Sequence, residues 1–321
     1  MADTRKKKTG SKTGAARGRG SAPKGRKRRK RVTLTQRWKR AGFAKRFRIV
    51  SIGTVVVVVV VALVTGLVHF LRWYNNLQDA EARQLELSQQ YNFDPGNIIS
   101  DGQFFNGNAM SEAEIQAFLE SKGGAIASMR FDTQTQKADD LCGKYQGAAK
   151  ESAAAIIEKS GRACKVSQKV LLTVLQKEQH LVTATDPSDF QLKSAMGLSC
   201  PDDDSCDPQY AGFFKQVFGA AKRYQYYVKH EDDYGYQSGK LTPILYNPNK
   251  ACGTSDVYIR NKATALLYIY TPYQPNKAAL EAGDGEGDEC SSYGNRNFSN
   301  IYRYWLGIPL NRDAGTLDCR C

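Results

Sequence analysis

The chain has 321 residues, 41% of them hydrophobic, which is enough for one or two domains with real cores. The net charge of +14 is unevenly placed: residues 1–48 hold 20 Lys and Arg against one acid, Asp3, so the remainder is net acidic. A basic arm on an acidic body excludes reading the positive total as the mark of a nucleic-acid-binding domain, and no specific nucleic-acid partner is expected.

Residues 1–31 are Lys, Arg, Gly, Ser and Ala with almost nothing apolar, and such a stretch cannot bury enough surface to fold. The whole segment 1–48 reads as a basic, disordered cytoplasmic arm. Ile49 to Leu71 follows with no acid, Lys or Arg, and contains the seven valines Val55 to Val61. At roughly 1.5 Å per residue it is long enough to cross a bilayer core. Trp38 and Phe47 precede it and Trp73 and Tyr74 follow, as interfacial aromatics do. The basic side is then inside and the C-terminal body outside. A single-pass cell-membrane protein is expected, with the arm against anionic lipid. A cleaved signal peptide is the alternative, although the apolar run is longer than the usual roughly 7–15 residues.

Residues 72–94 read as a polar stalk, helical at its start. The body, 95–310, begins with a turn-rich stretch from Asn97 to Gly107. Ser111 and Glu114 form a capping box that opens a helix to about Ser121, with Ile115 and Phe118 inward and Gly123-Gly124 as the stop. Lys150 to Lys159 is helical, ended by Ser160-Gly161. Val166 to Val182 is the most informative helix. Ser167 caps it, and Val170, Leu171, Val174, Leu175 and Leu181 make an apolar stripe. Glu178 falls on that same face, where burial favours a protonated carboxyl and hence a general acid. The plainer alternative is an ion pair with Lys177 or a distant Arg.

Thr183 to Pro201 reads as irregular and holds the small turn Ala195 to Leu198 and, as candidates for a second catalytic carboxylate, Asp186 and Asp189, neither marked by a motif. Asp207-Pro208 is an N-cap and first-turn proline for a helix to about Lys229. Lys240 to Tyr246 is extended, and Asn247-Pro248-Asn249 is a turn. Ser255-Asp256 is expected to cap a helix to Tyr270, which Thr271-Pro272 ends. Gly283 to Glu289 is a loop. Asn297 to Leu306 is the last helix, with Tyr302 and Trp305 inward and Gly307 as its stop.

All eight cysteines lie beyond the apolar run, which implies an oxidising compartment and disulfides. Neighbour pairing is the simplest of the possible maps: Cys142–Cys164, Cys200–Cys206 and Cys252–Cys290. Cys319 and Cys321, in the tail 311–321, are left to close on each other, to link chains or to stay reduced. The cysteine spacing lacks the paired knuckles of a zinc site, and Asp202-Asp203-Asp204 lacks the Gly and final Glu of a calcium loop. No metal and no cofactor is expected.

Several blocks in order carry a family resemblance: LLTVLQKEQHLVT (171–183), AMGLSCPD (195–202), QYAGFFKQVFGAAKRY (209–224), ILYNPNKACG (244–253), NKATALLYIYTPYQPN (261–276) and YGNRNFSNIYRYWLG (293–307). Over roughly 95–308 the body resembles the lysozyme-like domain of actinobacterial cell-surface proteins. More widely it resembles goose-type lysozymes, lytic transglycosylases and glucosaminidases, in which a leucine-rich helix ends in a catalytic Glu and a Gly-containing turn follows. The resemblance implies a mainly α fold, lysozyme-like, with a small extended region. It also implies a membrane-anchored, extracellular peptidoglycan glycosidase of the lytic transglycosylase or muramidase/glucosaminidase type with Glu178 as general acid; with no second acid marked by a motif, the transglycosylase route, in which Glu178 acts first as acid and then as base, is the simpler. Gln179 stands where the wider family has Ser. Tyr227, Tyr246, Tyr270 and Tyr273 would stack on sugars, and Gln179 and Asn247 would bind an N-acetyl group. The expected partner is the peptidoglycan glycan strand. A non-catalytic peptidoglycan-binding or adhesion module on the same fold is the alternative, and a structural component of an envelope complex is a third reading.

Overall fold

A computed structural model describes residues 33–200 and 206–307. The expectations for residues 1–32, for Asp202 to Asp204 and for Cys319 and Cys321 fall outside them. The described chain is mainly helical, with 56% helix and 7% strand. It divides into two compact units, Met1–Leu67 and Val68–Cys321.

In the first unit, α1 (Leu34–Lys39) and the start of α2 (Phe43–Tyr91) occupy part of the segment read as a disordered arm. The valine run in α2 is exposed throughout, and α2 is long and apolar enough to cross a membrane. The stalk is no separate element, because α2 continues through it to Tyr91.

In the second unit, short α3 (Asp101–Phe104) lies within the stretch read as turns, and α4 (Glu112–Lys122) starts at the expected Ser111 box. Ser111 Oγ accepts from Glu114 N, Glu114 Oε2 accepts from Ser111 N at 2.8 Å, and Gly123 closes the helix at φ 74°. Two-residue strands β1 (Arg130–Phe131) and β2 (Glu151–Ser152) pair antiparallel and lead into α5 (Ala153–Cys164). Ser160 and Gly161 do not end α5 as expected; both are buried inside it. A Cβ on Gly161 would meet Val166 O at 2.6 Å, so the glycine serves close packing and Lys165 at φ 53° ends the helix.

α6 (Gln168–Gln179) carries the informative stripe, and Val170, Leu171, Val174 and Leu175 are fully buried. Ser167 occupies the N-cap position, but its hydroxyl makes no cap bond and is buried without a partner. α6 ends two residues before Leu181, because His180 turns left-handed at φ 54°. α7 (Asp189–Lys193), capped by a Ser188–Gln191 box, lies in the stretch read as irregular. α8 (Phe213–Lys229) starts six residues after Asp207. Asp207 instead accepts Gln209 N at 2.8 Å in a turn, and Gly212 at φ 111° sets the new direction.

β3 (Lys240–Leu245) pairs antiparallel with β4 (Thr254–Ile259), from Lys240 opposite Ile259 to Leu245 opposite Thr254. Ser255 and Asp256 are therefore strand residues, and Asn261 caps α9 (Lys262–Tyr270) through its bond from Thr264 N. α10 (Lys277–Glu281) was not foreseen, and α11 (Gly294–Leu306) ends at Gly307 with φ 61°. The core forms where α5 packs on α4, α6 and α8, with α11 against α6 and α9 against α8. The far end of α2 joins this unit: Gln84 accepts Tyr258 N at 2.8 Å, and Asp94 pairs with Arg260 at 2.6 Å. Three disulfides are present: Cys142–Cys164, Cys200–Cys206 and Cys252–Cys290.

Candidate functional site

The last turn of α6 brings Glu178 against the turn Ala195 to Leu198. A Cβ on Gly197 would lie 3.2 Å from Glu178 Oε2, and Gly197 sits at φ 69°, so bare backbone faces the carboxylate. The other carboxylate oxygen is ion-paired with Lys177, whose side chain is 9% exposed while that of Glu178 is 23% exposed. The carboxyl expected in an apolar pocket thus has a cation partner, the plainer of the two sequence readings.

Two side chains hold this turn. Gln216, fully buried on α8, accepts Met196 N and Leu198 N, both at 3.0 Å, and donates to Leu198 O at 2.8 Å and Tyr210 O at 2.9 Å. The Tyr270 hydroxyl donates to Met196 O. Lys177 Nζ stands 5.5 Å from the Tyr270 ring, and the Tyr224 ring lies 5.5 Å from Tyr270. Burial pushes both phenols well above their ordinary pKa, and the negative charge of Glu178 adds to it. Gln216 and Tyr224 were missed in the sequence. The available signal was a polar side chain within the apolar stripe Phe213, Val217, Ala220, Tyr224.

Tyr227 stands at the edge of this cluster, and the remaining expected site residues make other contacts. Tyr227 is half-buried, 5.2 Å ring to ring from Tyr234. Gln179 contributes its carbonyl, which accepts Gln191 Nε2 at 2.8 Å. Tyr246 N donates to Gly253 O in the β3–β4 connection. Asn247 is a turn residue that accepts Asn249 N at 2.9 Å. Tyr273 offers its carbonyl to Asn295 Nδ2 at 2.9 Å. Of the expected set, Glu178 and Tyr270 meet in the cluster, and Tyr227 lies near enough to Tyr270 and Tyr224 to raise both phenols further. Asp186 and Asp189, the candidate second acids, are both exposed. Among the described residues, no group of three His, Cys, Asp or Glu side chains could hold a metal ion.

The family comparison overturns the glycosidase expectation. The profile that matches is that of the LasA N-terminal domain, over residues 97–307. LasA is a staphylolytic endopeptidase, and the expected lysozyme-like membership with Glu178 as a glycosidase acid is corrected accordingly. No curated protein and no solved structure matches the chain. The matched segment spans more than half of the sequence, and the chain belongs to the LasA N-terminal domain family.

Proposed function

We propose that this chain is a membrane-anchored recognition module for the peptide part of the bacterial cell wall. It would serve wall-peptide cleavage by holding the polymer rather than by cutting it. One observation carries the reading: the match to a staphylolytic peptidase's N-terminal domain covers residues 97–307, beyond the apolar helix α2 and over all three disulfides. Disulfides belong to an exported compartment, and the wall polymer is what an anchored exported domain meets there. The basic segment before α2 fits a cytoplasmic position against anionic lipid, so α2 runs from inside to outside.

The test uses the full chain in lipid nanodiscs and purified peptidoglycan sacculi. Retention on intact sacculi, lost after an amidase strips the stem peptides, is the expected result. Retention that survives stripping would assign binding to the glycan strands and overturn the peptide reading. No retention on either material would overturn wall recognition altogether.

A further inference from the structure

On α8, Lys222 and Arg223 follow Gly219 by three and four residues and precede Tyr226 by four and three, so the four share one face. Leu141, Tyr210 and Tyr234 come from other segments, and with that face they line a cavity of about 400 Å³. The volume lies at the small end of the roughly 300–1,000 Å³ typical of ligand sites. Neither Glu178 nor the residues gathered round it line this cavity. A Cβ on Gly219 would lie 3.4 Å from Tyr210 Cδ1 and 2.7 Å from Leu198 Cδ2, so bare backbone lets the Tyr210 ring come close to the helix.

The cations here are not equivalent. Lys222 is ion-paired with Asp139, and Lys229 with Asp140. Arg223 is half-buried and, among the described residues, has no carboxylate partner. Its guanidinium stands 5.8 Å from the centroid of the Tyr210 ring. Burial works against its charge, but the Tyr227 and Tyr210 phenols beside it outweigh that and raise its pKa. Tyr227 in turn meets the Tyr234 ring edge-on at 5.2 Å and the Tyr226 ring at 6.3 Å. One cation without a neutralising acid is thus set among four tyrosines.

That arrangement fits a small ligand with one negative charge on an otherwise uncharged body. A carboxylate meets a guanidinium through two parallel hydrogen bonds, and tyrosine rings cover small aliphatic groups. A wall stem peptide offers both at one end. Its N-terminus is tied up as an amide, whereas its C-terminus is a free carboxylate on a residue with a small side chain.

We propose that this cavity binds the free C-terminal carboxylate of an N-blocked wall peptide, with Arg223 as its partner and Tyr210, Tyr226 and Tyr234 packed around the last residue or two. The inference rests on the wall-peptide reading above and names the group recognised and the side chain that recognises it.

Calorimetric titration of the full chain in nanodiscs tests it, with diacetyl-lysyl-D-alanyl-D-alanine as the probe, whose amines are both acetylated. The free acid binds, and its C-terminal amide binds about tenfold more weakly. Arg223→Gln binds acid and amide alike. Arg223→Lys keeps the charge without the planar fork, so it folds as the wild type does and shows a smaller preference for the acid. Equal binding of acid and amide by the wild type, or an undiminished preference in either variant, would overturn the proposal. Sacculus retention separates the two readings. If the wild type is retained on sacculi but is indifferent to the carboxylate, the cavity falls and the wall reading stands; if it prefers the acid but is retained on no sacculi, the cavity stands and the wall reading falls.

Discussion

Gln216 carries more structural weight than any residue singled out in the sequence for chemistry. Four hydrogen bonds join its amide to Met196, Leu198 and Tyr210. Replacing it with Leu leaves the buried Met196 and Leu198 amides without acceptors, at a cost of about 3 kcal/mol. Circular-dichroism urea melts are expected to show that loss as a lower midpoint with an unchanged slope; a midpoint within error of the wild type would refute the clamp. Asp139 makes a pH-dependent contribution. The Lys222 ammonium, together with the Cys142 and Leu141 amides, lowers its pKa to about 2. An unfolded Asp titrates near about 3.9. Above that pH the carboxylate is charged in both states and its native partners stabilise the fold in full. As pH falls, the unfolded chain takes up the proton first, and the contribution is gone once pH passes about 2. Between those values the wild type is expected to lose melting temperature more steeply than Asp139→Asn. Parallel curves for the two proteins from pH 5 to 2 would rule this out.

Elements with a strong local signature were legible, and those decided by distant partners were not. The Ser111 box and the left-handed Gly123 are complete within a dozen residues, so α4 is written in its own sequence. The α6 stripe is equally local, and its burial is complete. Ser255-Asp256 has the chemistry of an N-cap but lies opposite Ile244 and Pro243, so ladder pairing with β3 outweighs the cap. Asp207-Pro208 likewise resembles a helix start. The start is displaced because Gly212 takes a backbone angle open mainly to glycine and Gly212 N bonds Lys193 O at 3.1 Å, a partner far back in the chain. Ser160-Gly161 looks like a stop only when the tight approach of Val166 is unknown. The site follows the same rule. The cluster around Glu178 is half visible: the Ala195 to Leu198 turn and Tyr270 were expected beside Glu178, whereas Gln216 and Tyr224 sit on core positions of α8 and reach the turn only through the fold.

At the scale of the whole chain, one apolar helix and three disulfides constrain where each end can lie. The disulfides require an oxidising compartment, and every bonded cysteine follows α2. The basic residues precede it, and positive flanks stay on the cytoplasmic side. Both constraints support the orientation proposed above, although they arise from unrelated chemistry: redox poise on one side, charge translocation on the other. A membrane-impermeant maleimide reads it directly. In a Cys319→Ser, Cys321→Ser background the six bonded cysteines are protected until reduced. A Gln89→Cys thiol, on an exposed position of α2, is expected to react in intact cells, whereas Ser11→Cys reacts only after lysis. The reverse pattern would invert the anchor and remove the wall from reach of the folded unit. Labelling of both thiols in intact cells would mean that α2 does not span the membrane.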